Sequence, residues 1–479
     1  MVWKLNSLIK KAALADEAMD TGDSIFALKP NRRDFLAALT GMILTGCGSG
    51  GSGSNESSEV TSPSPSPSPS PSPSLPPPVI PQPPPANLGA ILNVPLRGDL
   101  LAIEGAQLSY TRNSSATVIG SDGLLVELSA NDPRFLYDSF GQSVGLLIEG
   151  SNNQFLLQTE NYSNAVWNKK NINVTSNQGI ATDGTTRLWL LDEGNNTGSH
   201  TISQPVYFIG NSEIHTLNAV VKANDLRFVA LQMSTRAGNF SVARFDLNSR
   251  AVVSNYLAID YGINDLGNGF LHLWAAFDAE TGPAAPVIYL QLLGSNETTS
   301  SYRGTNRSIY VSEMWVNQGV FSTSYLRAVS VPALRAADLL FDDSNYVLPV
   351  NDCSGIFAFQ YNGKNPEVSP VVYTGLDENN YFAVSFTKNQ LLLEKVVSGL
   401  ATSCIHNINW QVGSFHAVGW RMNRKVGMEL VLDGQQVAVN RSAMAKRDID
   451  LGSRIYFGSD GKHKFCNCPI SNIMIFREA

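Results

Sequence analysis

The residues of this chain that could do chemistry are scattered rather than gathered. Gly141-Gln142-Ser143-Val144-Gly145 spells G-x-S-x-G, the spacing that puts a nucleophilic serine on a strained turn between a strand and a helix. The residues after it, Leu146-Leu147-Ile148-Glu149-Gly150, read as strand, so the motif predicts a hairpin turn and no nucleophile. Glycoside hydrolysis needs two carboxylates held about 5 to 10 Å apart. An E-x-D-x-x-E pattern, which would set them along one strand, is absent. The adjacent pairs Asp342-Asp343 and Asp377-Glu378 would point to opposite faces if extended, which suits loop solvation or at most calcium ligation. The six histidines show no metal-ligand spacing, and His272 and His416 alternate with apolar residues as core or sheet-face residues do. No catalytic residue is assigned and no cofactor is expected, calcium being the one ion left open.

Two other residue types carry expectations. Sugars are recognised by aromatic faces stacked on the ring, with amides and carboxylates bonding the hydroxyls. The aromatics to follow are Tyr162, Trp167, Trp189, Trp274, Trp315, Trp410 and Trp420. Trp167, flanked by Asn164, Asn168 and Lys169, predicts an exposed stacking face, with Tyr162 and Asn164 beside it. Of the five cysteines, Cys47 stands alone, whereas Cys353, Cys404, Cys466 and Cys468 lie in the last third. Four cysteines in an exported chain predict two disulfides, with three possible connectivities. A bond between Cys466 and Cys468 would be strained, so each is expected to pair with Cys353 or Cys404.

Export is itself an inference from residues 31–47. Arg32 and Arg33 precede Phe35 and Leu36, then an apolar run too short to span a bilayer, then Leu44-Thr45-Gly46-Cys47. The first part resembles the twin-arginine export motif, and the second the lipobox of bacterial lipoproteins, which implies cleavage before Cys47 and its lipidation. Gly48 succeeds the cysteine, so the expected address is the outer membrane or cell surface. After it come a Gly/Ser-rich stretch and alternating Pro and Ser over 62–85. Such a sequence favours polyproline II and would hold the downstream part of the chain roughly 70 Å from the lipid if fully extended.

The elements that must position any site are strands. With 34 basic and 41 acidic residues the net charge is −7, and no basic stripe is present for nucleic acid. From about residue 90 the apolar pattern has period two, in short runs such as RFVALQM, FSVARFDL and VIYLQLL, separated by Gly, Asn, Asp and Ser. No segment of helical period is convincing. The fold class is therefore all-β, with two β-sandwiches whose boundary lies within residues 323–340. Asp433-Gly434, between ELVL and QQVAV, predicts a two-residue hairpin turn.

Residues 110–167 run through a DG turn, Pro133-Arg134-Phe135, the GLLIE stretch and Ser163-Asn164-Ala165-Val166-Trp167. This order resembles a family of phage tail-fibre-like and secreted carbohydrate-binding proteins. One departure is Asn152-Asn153-Gln154, where that family usually has Arg-Thr-Asn. The resemblance implies a jelly-roll module followed, after Leu334-Arg335-Ala336-Ala337-Asp338, by a concanavalin A-like, laminin-G-like sandwich. The expected organisation is a signal peptide over 1–47, a linker over 48–89, a leader over 90–165, the jelly-roll over 166–330 and the second sandwich over 331–479. The expected role is glycan binding or adhesion at a bacterial surface, without catalysis and without a nucleic-acid partner. A glycan-degrading enzyme with unrecognised carboxylates, or a structural tail-fibre-like protein, are the alternatives.

Overall fold

A computed structural model describes residues 90–96, 108–138, 140–207, 213–296, 298–342, 348, 350–364, 368–442, 445, 449, 451 and 454–477. All of them fall within one compact unit of the chain. Arg32, Arg33, Phe35, Leu36, Cys47 and the Pro/Ser stretch lie outside the described residues. Among the described residues there is no α-helix, and none long and apolar enough to cross a membrane.

The strands form two sandwiches. In the first, a six-stranded sheet runs Ala251–Tyr256, Phe240–Asp246, Phe228–Ser234, Val287–Leu292, His200–Pro205, Asn168–Lys170. It packs on a sheet whose main order is Asp260–Gly267, Phe270–Asp278, Ile214–Ala223, Ser308–Gln318, Trp189–Asp192, Asn173–Thr175. Their inner faces share one core that includes Leu217, Val221, Leu231, Phe245, Phe277 and Leu290. In the central strands, such as Phe228–Ser234 and Val287–Leu292, every second residue enters it, as the pleat requires. Burying each such side chain contributes about 1.5–3 kcal/mol.

The second sandwich draws strands from both ends of the described chain. Ala90–Pro95 and Ser143–Leu147 both pair with Pro469–Arg477, and Phe135–Tyr137 continues that sheet. On the opposite sheet Leu108–Thr111 pairs with Leu339–Asp342. Residues set apart as a leader thus fill sheet positions beside strands more than 200 residues away in sequence. The core holds Phe357, Phe359, Phe386, Trp410 and Trp420, with the Phe359 and Phe386 rings stacked at 4.7 Å.

Local turn chemistry agrees with the sequence. Asp433 and Gly434 have φ of 47° and 85°, the paired positive values a type I′ turn needs, and Leu432 faces Gln435 across it. Around Gly141, at φ 74°, the G-x-S-x-G motif is a hairpin between Phe135–Tyr137 and Ser143–Leu147, with Asp138 Oδ1 accepting from the Phe140 and Gln142 amides. Ser143 opens a strand where a nucleophile elbow would need a helix.

The disulfide expectation is corrected. Cys353, Cys404, Cys466 and Cys468 are buried thiols, not bridges. Each of three donates to its own acceptor: Cys353 to the Val350 carbonyl, Cys466 to those of Ile148 and Cys468, and Cys468 to Asn362 Oδ1. Cys404 sits on the other sheet, facing Leu393. These thiols behave as small core side chains seated apart, which is a common use of cysteine.

Candidate functional site

In Phe240–Asp246, Ala243 and Phe245 enter the core, so Phe240, Val242 and Arg244 take the outer face. In Phe228–Ser234, Val229, Leu231 and Met233 point inward and Ala230 and Gln232 outward. In Val287–Leu292, Ile288, Leu290 and Leu292 point inward and Tyr289 and Gln291 outward.

The register aligns these outer residues into two rows that cross the whole six-stranded sheet. One runs Asn168, Ser203, Tyr289, Gln232, Val242, Tyr256. Beside it runs Lys170, Thr201, Gln291, Ala230, Arg244, Ser254. A row of six strands spans roughly 24 Å at the usual spacing between strands.

Six residues of these rows, Lys170, Gln291, Gln232, Val242, Arg244 and Tyr256, line a groove of about 530 Å³ together with Phe240, Gly198, Ser199, Ser300 and Ser301. Phe240 and Tyr256 are 52% and 60% exposed, which leaves ring faces open at one end. Tyr289 lies 6.0 Å from the Phe240 ring, and burial pushes its phenol up, so it stays a neutral hydroxyl. Gln232 donates to Gln291, which in turn donates to the Ser300 carbonyl at 2.7 Å. Open aromatic faces beside oriented amides and two cations can hold a polyhydroxylated chain by stacking and hydrogen bonds.

The residues expected to bind lie elsewhere. Tyr162 and Trp167 are buried in the first core, where Tyr162 meets Trp167 and Trp189 edge to face at 5.4 and 5.9 Å. The Tyr162 hydroxyl donates to Thr159 and Ser312 carbonyls, and Trp167 Nε1 to the Gln158 carbonyl. Neither ring offers a face to a ligand, which corrects the expectation. Polar flanks misled it: Asn164 is half-buried and serves a turn, its carbonyl accepting from the Trp167 amide and from Lys169 Nζ. Trp189, Trp315, Trp410 and Trp420 are also buried, and Trp274 is half-buried.

Sequence reasoning missed Phe240, Tyr256 and Tyr289. Alternation in FSVARFDL shows that Phe240, Val242 and Arg244 share a face, yet the opposite set also holds an apolar residue, Phe245. Only the packed partner decides which set is outside.

A second cavity, of about 230 Å³, is lined from both sandwiches, by Trp315, His272 and Glu313 on one side and by Gln360, Asn362, Lys364 and Pro469 on the other. Its walls are largely apolar, including Val118, Leu136, Leu147, Val220 and Leu266. The carboxylates here serve arginines: Glu149 pairs with Arg134 at 2.8 Å, and Glu313 with Arg187 at 2.8 Å. Burial pushes the Glu313 carboxyl up despite Arg187. His272 has hydrogen-bonding partners on both ring nitrogens, in Asn218 and Asn264, and stacks on Trp315 at 5.0 Å. Among the described residues, no three His, Cys, Asp or Glu side chains gather as metal ligands would. Asp377 instead caps a hairpin, accepting from the Asn379 amide at 2.8 Å.

No known protein family and no curated protein matches the chain. Solved structures that resemble it include domains LG4-5 of the mouse laminin alpha1 chain, with 10% identity, TM-score 0.21, and coverage of 59% of this chain and 85% of that one. Another is a CBM22-1-CBM22-2 tandem domain from Paenibacillus barcinonensis, with 11% identity, TM-score 0.24, and coverage of 69% and 99%. A third is a GH43 protein from Bacillus licheniformis, with 8% identity, TM-score 0.21, and coverage of 74% and 76%.

Proposed function

We propose that the protein is a lipid-anchored surface protein that binds a glycan chain along the outer face of its six-stranded sheet and does no chemistry on it. The observation that carries this is the groove itself: Phe240 and Tyr256 line it with Gln232, Gln291, Arg244 and Lys170, and Tyr289 shares the sheet face beside Phe240. Its length, six strands across, suits several sugar residues laid in a row rather than a single ring. In this reading the twin-arginine-like signal, Cys47 and the Pro/Ser stretch deliver the sandwiches to the surface and hold them away from it.

The test is a glycan array probed with the Cys47→Ser chain, with and without a calcium chelator, beside a reducing-end assay. Binding without release of reducing ends is expected, and Tyr256→Ala should weaken it by about tenfold, the worth of one aromatic stack, with the melting temperature unchanged. Release of reducing ends would overturn the reading in favour of a glycan-degrading enzyme. Absence of binding across the array would leave a structural role. The anchor is tested separately, by comparing palmitate-analogue labelling of the wild type and Cys47→Ser.

A further inference from the structure

The charge pattern of the groove runs against the net charge of the chain. The chain as a whole is acidic, with a net charge of −7, yet the groove is lined by two cations, Lys170 and Arg244, and by no Asp or Glu. Among the described residues neither cation forms an ion pair. Arg244 makes only a long contact, 3.4 Å, to Ser254 Oγ, and Lys170 is exposed. The nearest acid on the same strand face is Asp246, and Arg227 holds both its oxygens at 2.9 and 2.6 Å. Its carboxylate is therefore already neutralised.

Lys170 and Arg244 belong to the same cross-strand row, separated by Thr201, Gln291 and Ala230. Four steps between strands put their backbones roughly 19 Å apart. Tyr256 and Tyr289 stand in the neighbouring row, Tyr256 on Arg244's partner strand, and Phe240 lies two residues from Val242 on the same strand face. A chain lying along the groove would thus rest sugar faces on one row and present its ring substituents to the other. Neutral hydroxyls need no cation, because uncharged amides and hydroxyls bond them as well. Two unpaired cations at a fixed separation, in an acid-free groove on an acidic protein, form a local positive field that selects anionic substituents.

We propose that the glycan this groove takes is acidic, its carboxylates or sulfates engaging Lys170 and Arg244 on non-adjacent sugar residues. The proposal rests on the reading of this face as a glycan site and adds the class of glycan.

The experiment uses the full chain carrying Cys47→Ser. Binding of polygalacturonate and alginate is measured calorimetrically against their carboxyl-reduced forms, and dextran sulfate against dextran, at about 50 and 500 mM salt. On at least one backbone the acidic form should bind about tenfold tighter than its neutral partner at low salt, with the gap narrowing at high salt. Lys170→Gln and Arg244→Gln should each lower affinity for the acidic form about threefold more than for its neutral partner. Arg244→Lys, which keeps the charge, should retain most of the gap; circular dichroism checks that each variant is folded. Equal binding of acidic and neutral forms would overturn the acid preference while leaving the glycan site standing. An acid preference untouched by both Gln variants would overturn the assignment of these two cations. Absence of binding to every polymer in the panel would overturn the acidic class, and the glycan array then decides separately whether the face binds any glycan.

Discussion

His272 shows how one residue's surroundings set its chemistry. It is buried against Trp315, its Nε2–H donating to Asn218 Oδ1 at 3.1 Å and its Nδ1 receiving Asn264, an arrangement that suits the neutral ring. Burial, reinforced by the positive charge of Lys364, pushes its pKa down to about 3. The unfolded chain takes up a proton near pH 6.5 and the folded chain does not until about 3, so stability is full above the unfolded value and falls on acidification between the two. Denaturation midpoints measured from pH 7 to 4 should therefore show a steeper loss in wild type than in His272→Gln, by at most about 1.4 kcal/mol per pH unit. The cysteines make a second case. Burial pushes the Cys466 thiol up to about 12 and the Cys404 thiol up to about 11, so neither is a thiolate at neutral pH. Alkylation at pH 8 should leave Cys353, Cys404, Cys466 and Cys468 unmodified in the folded chain, and modify all four after denaturation, without any reductant; mass spectrometry reads both states.

At the scale of elements, sheet packing depends on where side chains are absent as much as where they are present. Gly355 faces Trp420 across paired strands, and a Cβ there would lie 2.1 Å from the indole ring. Trp420 is wholly buried and has no room to retreat. Gly355→Ala should cost about 1–3 kcal/mol of stability, visible as a lower chemical midpoint with altered near-ultraviolet dichroism from Trp420. The strand Ser308–Gln318 carries a different device. Against Ile214–Ala223 its register slips between Ala219 and Val221, with Val311 and Met314 as the flanking partners, so one extra residue bulges. Val311 and Met314 both stay in the core, while Glu313 and Trp315 line the cavity reached from both sandwiches. Alternation alone cannot make that turn, since Val311 and Met314 are three residues apart.

The whole molecule is tied by buried charge. Asp338, in the link between the sandwiches, accepts from Tyr110 at 2.6 Å, from the Glu149 amide at 2.9 Å and from Arg134, with Arg112 and Arg335 within 3.4 and 3.7 Å. Arg112, Arg134, Arg335, Glu149 and Asp338 are all buried. Burial alone would raise the Glu149 carboxyl, but Arg335 and Arg134 outweigh it and hold it well below the usual carboxylate range. Its contribution is therefore present above the ordinary carboxylate pKa and lost as pH falls below it. Asp338→Ala strands three arginines around one remaining carboxylate and should destabilise the fold by about 3–5 kcal/mol. Because Leu108–Thr111 and Leu339–Asp342 flank this cluster, hydrogen exchange in that variant should quicken first in those two strands.

The sequence by itself determined the class of fold and its local turns. Period-two alternation, the Asp433-Gly434 pair and the reading of Gly141–Gly145 as a hairpin depend on neighbours a few residues apart, and such neighbours are visible in a string of letters. Tyr110, Arg112, Arg134, Glu149, Arg335 and Asp338 lie within the stretches 110–167 and 334–338 that carry the resemblance, but nothing in the string of letters says that they meet. Tertiary structure alone decided that meeting, across up to 228 residues. It also decided that the four cysteines stay apart, that Trp167 turns inward, and that Phe240 and Tyr256 turn outward beside Lys170 and Arg244. The physical reason is common to all of these. Alternation divides a strand into two faces, but which face meets another sheet, and which strands become neighbours, depends on long-range pairing that buries the most apolar area across the whole chain.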